Sequence, residues 1–392
     1  MQKGHPINLN KAGSVSVCCQ TRKASFCEGG LTIPQESGIG RGSECDPARR
    51  ASHRRWRVSS SVLPPEQKRS LTKYHDKMKR YRQCLGYVFA ALAALLWAFL
   101  GPLGRICMAD GLSPQEAAFW RAVFGAFFFW LHAAPKGAIR VPPRIALTFA
   151  AFGCVGISGF FAAYFLAVEE AGAALAAVLL YTAPAWVALL SRLFFRELFT
   201  GPKLLALALA LGGATLACLS GGGLPQGASF LGIAAGLTAG FCYSLHYIFG
   251  AHYLKQYSPL TLYCWCLPAG ALLLLPFVSF SAKSSTVWTA LVMLGFFCTY
   301  AAYWSYCEGL KRLPPTVVAV VATLEPLLAA LLAWWFWGEM FSLQGWAGAS
   351  LILGGVLLII LFPASTAPPV PTPEDSAPAC ADPLPQSPRP GP

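Results

Sequence analysis

Ten long apolar segments restrict what this chain can fold into. Each has about 20 mainly apolar residues, the length that an α-helix needs to cross a bilayer. They cover residues 85–105, 115–134, 145–167, 171–193, 202–220, 229–250, 259–279, 287–308, 315–337 and 342–362. Because backbone polar groups in lipid must be satisfied internally, continuous apolar runs of this length form helices. The sequence therefore predicts an all-α integral membrane protein with ten transmembrane helices.

Charged residues are concentrated outside this apolar block. Only 12% of the 392 residues are charged, too few for the water-facing surface of soluble domains. Residues 1–83 carry 17 of the 30 Lys and Arg, and residues 363–392 carry 11 of the 30 prolines. We interpret 1–83 as a basic, disordered cytoplasmic tail and 363–392 as a proline-rich, disordered cytoplasmic tail.

The basic tail leaves other interpretations open. Its dense arginine run, 49–57, would suit nucleic acid or anionic lipid, but a solvated segment is the simpler interpretation, and we expect no nucleic-acid partner. Its Arg and Ser content resembles an organelle transit peptide, although the six acidic residues argue against one. Met78 starts a short basic leader into the first apolar helix. The alternative interpretation is that the gene model is too long, that residues 1–77 are not translated, and that the true start is Met78.

Metal and cofactor chemistry find no support in the sequence. The 14 cysteines are scattered without a CxxC pair, and the histidines of the apolar block are not spaced as a metal cluster. No GxxxxGK phosphate-binding loop, HExxH or GxSxG occurs. We expect no catalytic residues, no metal and no cofactor.

Lys and Arg in the short loops predict the orientation. With the amino terminus in the cytoplasm, nine of them lie in cytoplasmic loops and at most two in external ones. Since short cytoplasmic loops are enriched in Lys and Arg, both termini are predicted to be cytoplasmic.

The two halves of the block repeat each other. At an offset of 142, Gly153 matches Gly295, Pro184 matches Pro326, and Glu197 matches Glu339. Each half has five helices, and because five is odd, the second half must enter the membrane upside down. Such 5+5 inverted repeats are typical of secondary transporters, which alternate between two conformations of their halves.

Four motifs resemble a known family. The stretches PAWVALLSRLFFRELFTG and LEPLLAALLAWWFWGEMFSLQG, together with WAFLGPLGR and FWRAVFG, resemble the EamA repeats of the drug/metabolite transporter (DMT) superfamily. The resemblance covers about residues 84–362. It implies a first EamA repeat at 84–220 with helices 1–5, and a second at 229–362 with helices 6–10. It also implies a permease for small metabolites in a bacterial-type plasma membrane, often an exporter of amino acids or related compounds.

Two charged residues lie inside apolar helices. Glu325 is about 15 Å into helix 9, where an acid is costly unless it is paired, protonated or wetted. We predict a proton or substrate-amine site there, and the alternative is a structural partner for Arg121 or a contact with the backbone. Arg121, about 10 Å into helix 2, could hold a substrate carboxylate. For Arg121 we favour a structural role, either snorkelling to the interface or pairing with a carbonyl group or Glu116.

Prolines and aromatic residues add candidates. Pro102, Pro184 and Pro326 interrupt helices 1, 4 and 9, and paired interruptions point to a site between the repeats, although packing kinks are the alternative. Aromatic residues on interior faces could line a cavity for an apolar or aromatic substrate, but such stripes more often serve packing. These candidates are Trp97, Tyr164, Tyr181, Tyr243, His246 and Tyr303.

The sequence favours a secondary transporter of small metabolites, most readily amino acids in the export direction. Its partners would be a small-molecule substrate and the lipid bilayer, with the chain a monomer or homodimer. Coupling to protons through Glu325 is one mechanism, and uncoupled exchange or facilitated diffusion is equally compatible with the sequence. A sugar-phosphate or nucleotide-sugar carrier is the alternative, although such anions need several inward Lys or Arg. A membrane-embedded enzyme and a channel fit less well.

Overall fold

A computed structural model of the chain describes residues 8–9, 15–16, 65–219, 229–338, 340 and 342–362. Backbone contacts divide the chain into one unit at Met1–Lys79 and another at Arg80–Pro392. In the first unit, β1 (Asn8–Leu9) pairs antiparallel with β2 (Val15–Ser16). The first helix begins at Pro65, within the predicted tail 1–83. Most of that tail, and all of 363–392, lie outside the described residues.

Helices make up the membrane-spanning block. The first repeat contains α1 (Pro65–Ala98), α2 (Leu100–Ala109), α3 (Pro114–Ala133), α4 (Pro143–Phe152), α5 (Phe160–Ala171), α6 (Ala173–Leu180), α7 (Ala183–Phe195) and α8 (Gly201–Leu219). The second contains α9 (Phe230–Tyr253), α10 (Pro259–Leu274), α11 (Ser285–Gly295), α12 (Ala302–Leu310), α13 (Pro315–Ala322), α14 (Leu324–Trp337) and α15 (Leu343–Leu361). Short 3-10 helices follow α3 at Ala134–Lys136 and α10 at Leu275–Phe277.

These helices join into ten spans within the described residues, each long and apolar enough to cross a membrane. Spans 1, 4 and 9 are α1–α2, α6–α7 and α13–α14, and spans 3 and 8 are α4–α5 and α11–α12, each joined by a π-helical turn. The all-α fold with ten transmembrane helices in a 5+5 inverted repeat is thereby confirmed.

Irregular backbone recurs at matching places in the two repeats. The π-helical turn Gly153–Gly159 in span 3 corresponds, at the offset of 142, to Phe296–Ala301 in span 8. The break at Tyr181 in span 4 corresponds to the break at Thr323 in span 9. Serine caps recur too, since the hydroxyl groups of Ser113 and Ser258 accept the first-turn amides of α3 and α10. The second repeat therefore copies local detail as well as helix order.

Contacts between spans 5 and 10 show the two-fold relation of the repeats directly. A methyl group added at Gly213 would lie 2.6 Å from the carbonyl oxygen of Gly348. One added at Gly355 would lie 2.7 Å from the carbonyl oxygen of Ala206. Gly355 is the repeat mate of Gly213, and Gly348 is the mate of Ala206, so the two contacts are the same contact seen from each repeat.

A Gly213→Val substitution should destabilise the fold through this interface. The added side chain meets backbone atoms of span 10 that cannot rotate away, and overpacking of this kind costs about 1–3 kcal/mol. We expect a lower midpoint of thermal aggregation in detergent, measured by size-exclusion chromatography after heating. Gly212→Val is the matched control, because no atom lies within 4 Å of a methyl group there. Equal midpoints for the two variants would contradict the packing described.

The loops define two faces of the block. We call the face at which spans 1 and 3 end the Asp110 face, and the opposite one, at which span 8 ends, the Lys311 face. The orientation predicted from the loop charges makes the Asp110 face external.

Candidate functional site

A cavity of about 380 Å³ lies between the two repeats and brings together most of the predicted site residues. Its size falls at the small end of the roughly 300–1,000 Å³ range that is typical of small-molecule sites. Spans from both repeats contribute to its wall. The predicted residues at the wall are Trp97, Arg121, Tyr164, Tyr181, Tyr243, Tyr303 and Glu325.

Other lining residues were not anticipated from the sequence. They are Leu100, Gly101, Gly104, Met108, Pro114, Ala117, Ala118, Phe160, Phe161, Phe165, Ala177, Leu180 and Leu294. Phe160 and Phe161 lie four and three residues before Tyr164, so the helical period of span 3 predicts that they share its face. Met108 and Pro114, at the ends of spans 1 and 2, bring the cavity to the Asp110 face.

Glu325 lies in the first turn of α14, directly after the break in span 9. The amides at a helix amino terminus stabilise a negative charge, so the break supplies an electrostatic partner for this acid in lipid. The hydroxyl group of Tyr181, the residue at the matching break in span 4, lies beside the Glu325 carboxyl group. The side chain is partly buried and reaches the cavity.

Arg121 of α3 lies at the same cavity. Its guanidinium carbon is 4.9 Å from the centre of the Phe161 ring, a cation–π contact, and the Tyr303 hydroxyl lies beside it. Among the described residues it forms no ion pair within 4 Å, with Glu325 or with any other acid. The cavity therefore carries one positive and one negative group that do not neutralise each other by direct contact.

Glu116, the pairing partner considered for Arg121, is engaged elsewhere. It is fully buried and pairs with Lys283 of the loop between spans 7 and 8. It also accepts hydrogen bonds from the Ser281 amide at 3.2 Å, the Ser281 hydroxyl at 2.9 Å and the Trp120 indole at 3.3 Å. Arg121 is thus left facing the cavity.

His246 is not at the cavity wall. Its Nε2–H donates to the carbonyl oxygen of Gly156 at 2.7 Å, and its ring centre is 5.0 Å from that of Phe152. Gly156 lies in the π-helical turn of span 3, where the regular helical bonding pattern is interrupted. The structure thus gives this histidine a backbone partner next to the site.

The three prolines lie just after the helix breaks. Span 1 turns at Phe99, and Pro102 is the third residue of α2. Pro184 is the second residue of α7, and Pro326 is the third residue of α14. Proline is tolerated in the first turn of a helix because its missing amide hydrogen has no intrahelical partner there. The breaks in spans 4 and 9 lie close together, since Tyr181 and Thr323 line the same small cavity as Glu325.

An aromatic cluster closes the cavity toward the Lys311 face. We call Trp97, Tyr247, Tyr263, Tyr303 and Tyr306 the aromatic plug. Tyr263 stacks on Tyr303 with ring centres 4.7 Å apart, Tyr247 meets Tyr306 at 5.0 Å, and Trp97 meets Tyr306 at 5.7 Å. All five side chains are buried, so the plug separates the cavity from the Lys311 face.

A second, small cavity of about 10 Å³ lies on the plug side of Glu325 and is large enough for about one water molecule. Its polar wall consists of Tyr181, Tyr243, Tyr247, Thr323 and Glu325. Glu325 therefore borders both the large cavity and a small space that reaches the plug at Tyr247.

The hydroxyl group of Tyr306 in the plug is buried without a hydrogen-bond partner among the described residues. An unsatisfied buried donor costs about 1–3 kcal/mol, so Tyr306→Phe should raise the thermal unfolding midpoint. Tyr87→Phe is the matched control, because the Tyr87 hydroxyl donates to the Ile359 carbonyl at 3.2 Å and its loss should lower the midpoint. A lower midpoint for Tyr306→Phe in differential scanning fluorimetry would contradict this description of the plug.

Comparison with models of protein families shows the family to which this chain belongs. The model of the EamA-like transporter family matches twice, at residues 84–219 and 230–361. The chain belongs to the EamA-like transporter family. It is a multi-pass membrane transporter, as expected for a member of the drug/metabolite transporter superfamily.

Individual relatives align with this chain over most of their own length. An uncharacterized transporter of Archaeoglobus fulgidus is 30% identical over 70% of this chain and 97% of its own. The uncharacterized inner membrane transporter YicL of Salmonella typhimurium is 26% identical over 70% and 95%. A probable terminal-alkyne amino-acid exporter of Streptantibioticus cattleyicolor is 24% identical over 68% and 91%. A crystal structure with 20% identity and a TM-score of 0.63, covering 71% of this chain and 96% of that one, shares the fold.

Proposed function

We propose that this transporter exports amino acids or closely related zwitterions by alternating access of its two inverted repeats. The observation that carries the proposal is the pair Arg121 and Glu325 in one cavity, without direct contact between their charges.

A zwitterion complements this pair. The fork of an arginine side chain matches a carboxylate, and a carboxylate attracts an ammonium group. Charges held inside a membrane protein are costly without partners. A ligand with both a carboxylate for Arg121 and an ammonium group for Glu325 is therefore bound more tightly than a ligand with only one of these groups. The aromatic wall from Trp97, Phe160, Phe161 and Tyr243 suits an apolar side chain. The amino-acid exporter among the relatives supports the same substrate class.

The transport cycle follows from the symmetry. Tyr164, at the open cavity, is the repeat mate of Tyr306, buried in the plug. When the repeats exchange conformations, the environments of these two residues exchange, and the cavity opens to the Lys311 face. With both termini in the cytoplasm of a bacterial-type plasma membrane, the conformation described is the outward-open one.

Protons are the coupling ion in this scheme. Glu325 holds either the substrate ammonium group or a proton. Binding from the cytoplasm requires the free carboxylate, and protonation from outside displaces the substrate into the external solution. Net export then accompanies proton entry, with one carboxyl group serving both ligands.

A sugar-phosphate carrier is the second candidate and fits the cavity less well. A phosphate dianion requires several basic groups, and Arg121 is the one basic residue of the described lining.

Uptake into proteoliposomes that contain the full chain tests the proposal. A panel of radiolabelled neutral, aromatic and charged amino acids is compared with hexose phosphates, with and without a pH gradient. We expect saturable flux of neutral and aromatic amino acids that the gradient accelerates. Flux of phosphates alone, or of no amino acid above empty liposomes, would refute the substrate class.

A further inference from the structure

A helical stripe on span 1 forms one side of the cavity. Trp97, Gly101, Gly104 and Met108 follow each other at intervals of four, three and four residues, and all four line the cavity. This spacing puts them on one helical face. The two central positions of the stripe carry no side chain.

Backbone packing does not require glycine at either position. A methyl group at Gly101 would meet no atom within 4 Å, and one at Gly104 would meet the Met108 methyl carbon at an ordinary 3.5 Å. Neither residue has the positive φ angle that favours glycine. Glycine inside a helix is about 1 kcal/mol less favourable than alanine, so both reduce helix stability without a packing reason. They differ in this from Gly213, whose missing side chain admits a neighbouring helix.

The space that these glycines leave lies on the Asp110 side of Glu325 and at about the depth of Arg121, which is about 10 Å from the start of α3 at that face. Helical rise puts Gly101 about 12 Å and Gly104 about 8 Å from the end of α2, whereas Glu325 is about 18 Å from the end of α14 at the same face. The lining near this level combines Arg121 and Tyr164 with apolar residues such as Ala117 and Phe165. A substrate whose carboxylate meets Arg121 and whose ammonium group meets the deeper Glu325 therefore has this space beside it for its side chain.

We propose that Gly101 and Gly104 set the size limit of an apolar subsite for the substrate side chain, which admits bulky aliphatic and aromatic amino acids. The inference rests on the proposed amino-acid transport and adds the residues that determine its specificity. A leucine at either position would occupy the subsite and leave the charged pair intact.

The test is competition for transport by Gly101→Leu and Gly104→Leu proteoliposomes. Unlabelled alanine, leucine, phenylalanine and tryptophan compete with labelled alanine. We expect the half-inhibitory concentrations of phenylalanine and tryptophan to rise about tenfold or more. The added leucine removes the equivalent of at least one or two buried methylene contacts from these side chains. Inhibition by alanine should stay within about twofold, because it needs no such space. Gly101→Ala should give an intermediate result.

Gly212→Leu is the matched control, because a methyl group there also meets no atom within 4 Å and the residue lies on span 5, away from the cavity lining. Its selectivity should equal that of the unmodified chain. If the unmodified chain transports amino acids but both variants keep its selectivity, or lose alanine and tryptophan equally, the subsite is refuted and the proposed function stands. If the unmodified chain transports no amino acid, both are refuted.

Discussion

Glu325→Gln proteoliposomes are expected to show no acceleration of amino-acid transport by a pH gradient. Glutamine has nearly the shape of glutamate but neither titrates nor carries charge. In the proposed cycle the Glu325 carboxyl group binds a proton and the substrate ammonium group in turn. Its loss therefore removes the binding group for both. Truncating one partner of a buried charge pair costs about 2–5 kcal/mol, which corresponds to a roughly 30- to 4,000-fold higher half-saturating substrate concentration.

Two further variants separate this role from a structural one. Glu325→Asp keeps a carboxyl group and should retain a response to the gradient. Glu308→Gln removes an acid that pairs with Lys311 and Arg312 near the end of span 8, and its response to pH should match that of the unmodified chain. Gradient-driven flux that persists unchanged in Glu325→Gln would leave Glu325 a structural residue and require another coupling site.

Arg121→Met should weaken substrate binding by a similar factor while leaving the response to a pH gradient in place. Methionine keeps an unbranched apolar side chain against Phe161 but cannot bind a carboxylate. The half-saturating concentration should rise roughly 30- to 4,000-fold in initial-rate measurements. The two substitutions therefore separate affinity for the carboxylate from coupling to protons.

Arg105→Met is the matched control for this cation. The Arg105 guanidinium carbon lies 4.6 Å from the Trp337 ring centre, and the residue is not part of the cavity wall. Arg121→Lys keeps the charge but not the planar fork, so binding should be only partly restored. An Arg121→Met protein with unchanged half-saturation would show that the carboxylate is bound elsewhere.

The helices and the repeat were predictable because their causes are local. Apolar length predicts a span, and the offset of 142 residues that relates Gly153 to Gly295 relates the two π-helical turns as well. The turns themselves were not predicted, since a change from i→i+4 to i→i+5 bonding follows no simple residue pattern.

The site was less predictable, because it depends on which side chains meet across distant parts of the chain. Arg121 and Glu116 are five residues apart in one helix, yet Glu116 forms an ion pair with Lys283 and Arg121 faces the cavity. His246 shares a helix with Tyr243, but a carbonyl group of another span binds it. Gly101 resembles the many other glycines of the apolar block until the open space beside it is known.

If Arg121 and Glu325 bind one zwitterion between them, counterflow should distinguish an amino acid from analogues that lack one of its two charges. Proteoliposomes loaded with phenylalanine would be offered labelled phenylalanine, phenylethylamine, which lacks the carboxylate, or phenylpropionate, which lacks the amine. We expect rapid, saturable counterflow of phenylalanine and at most weak counterflow of either analogue. Equal exchange of all three compounds, or exchange of an analogue without the amino acid, would contradict this expectation.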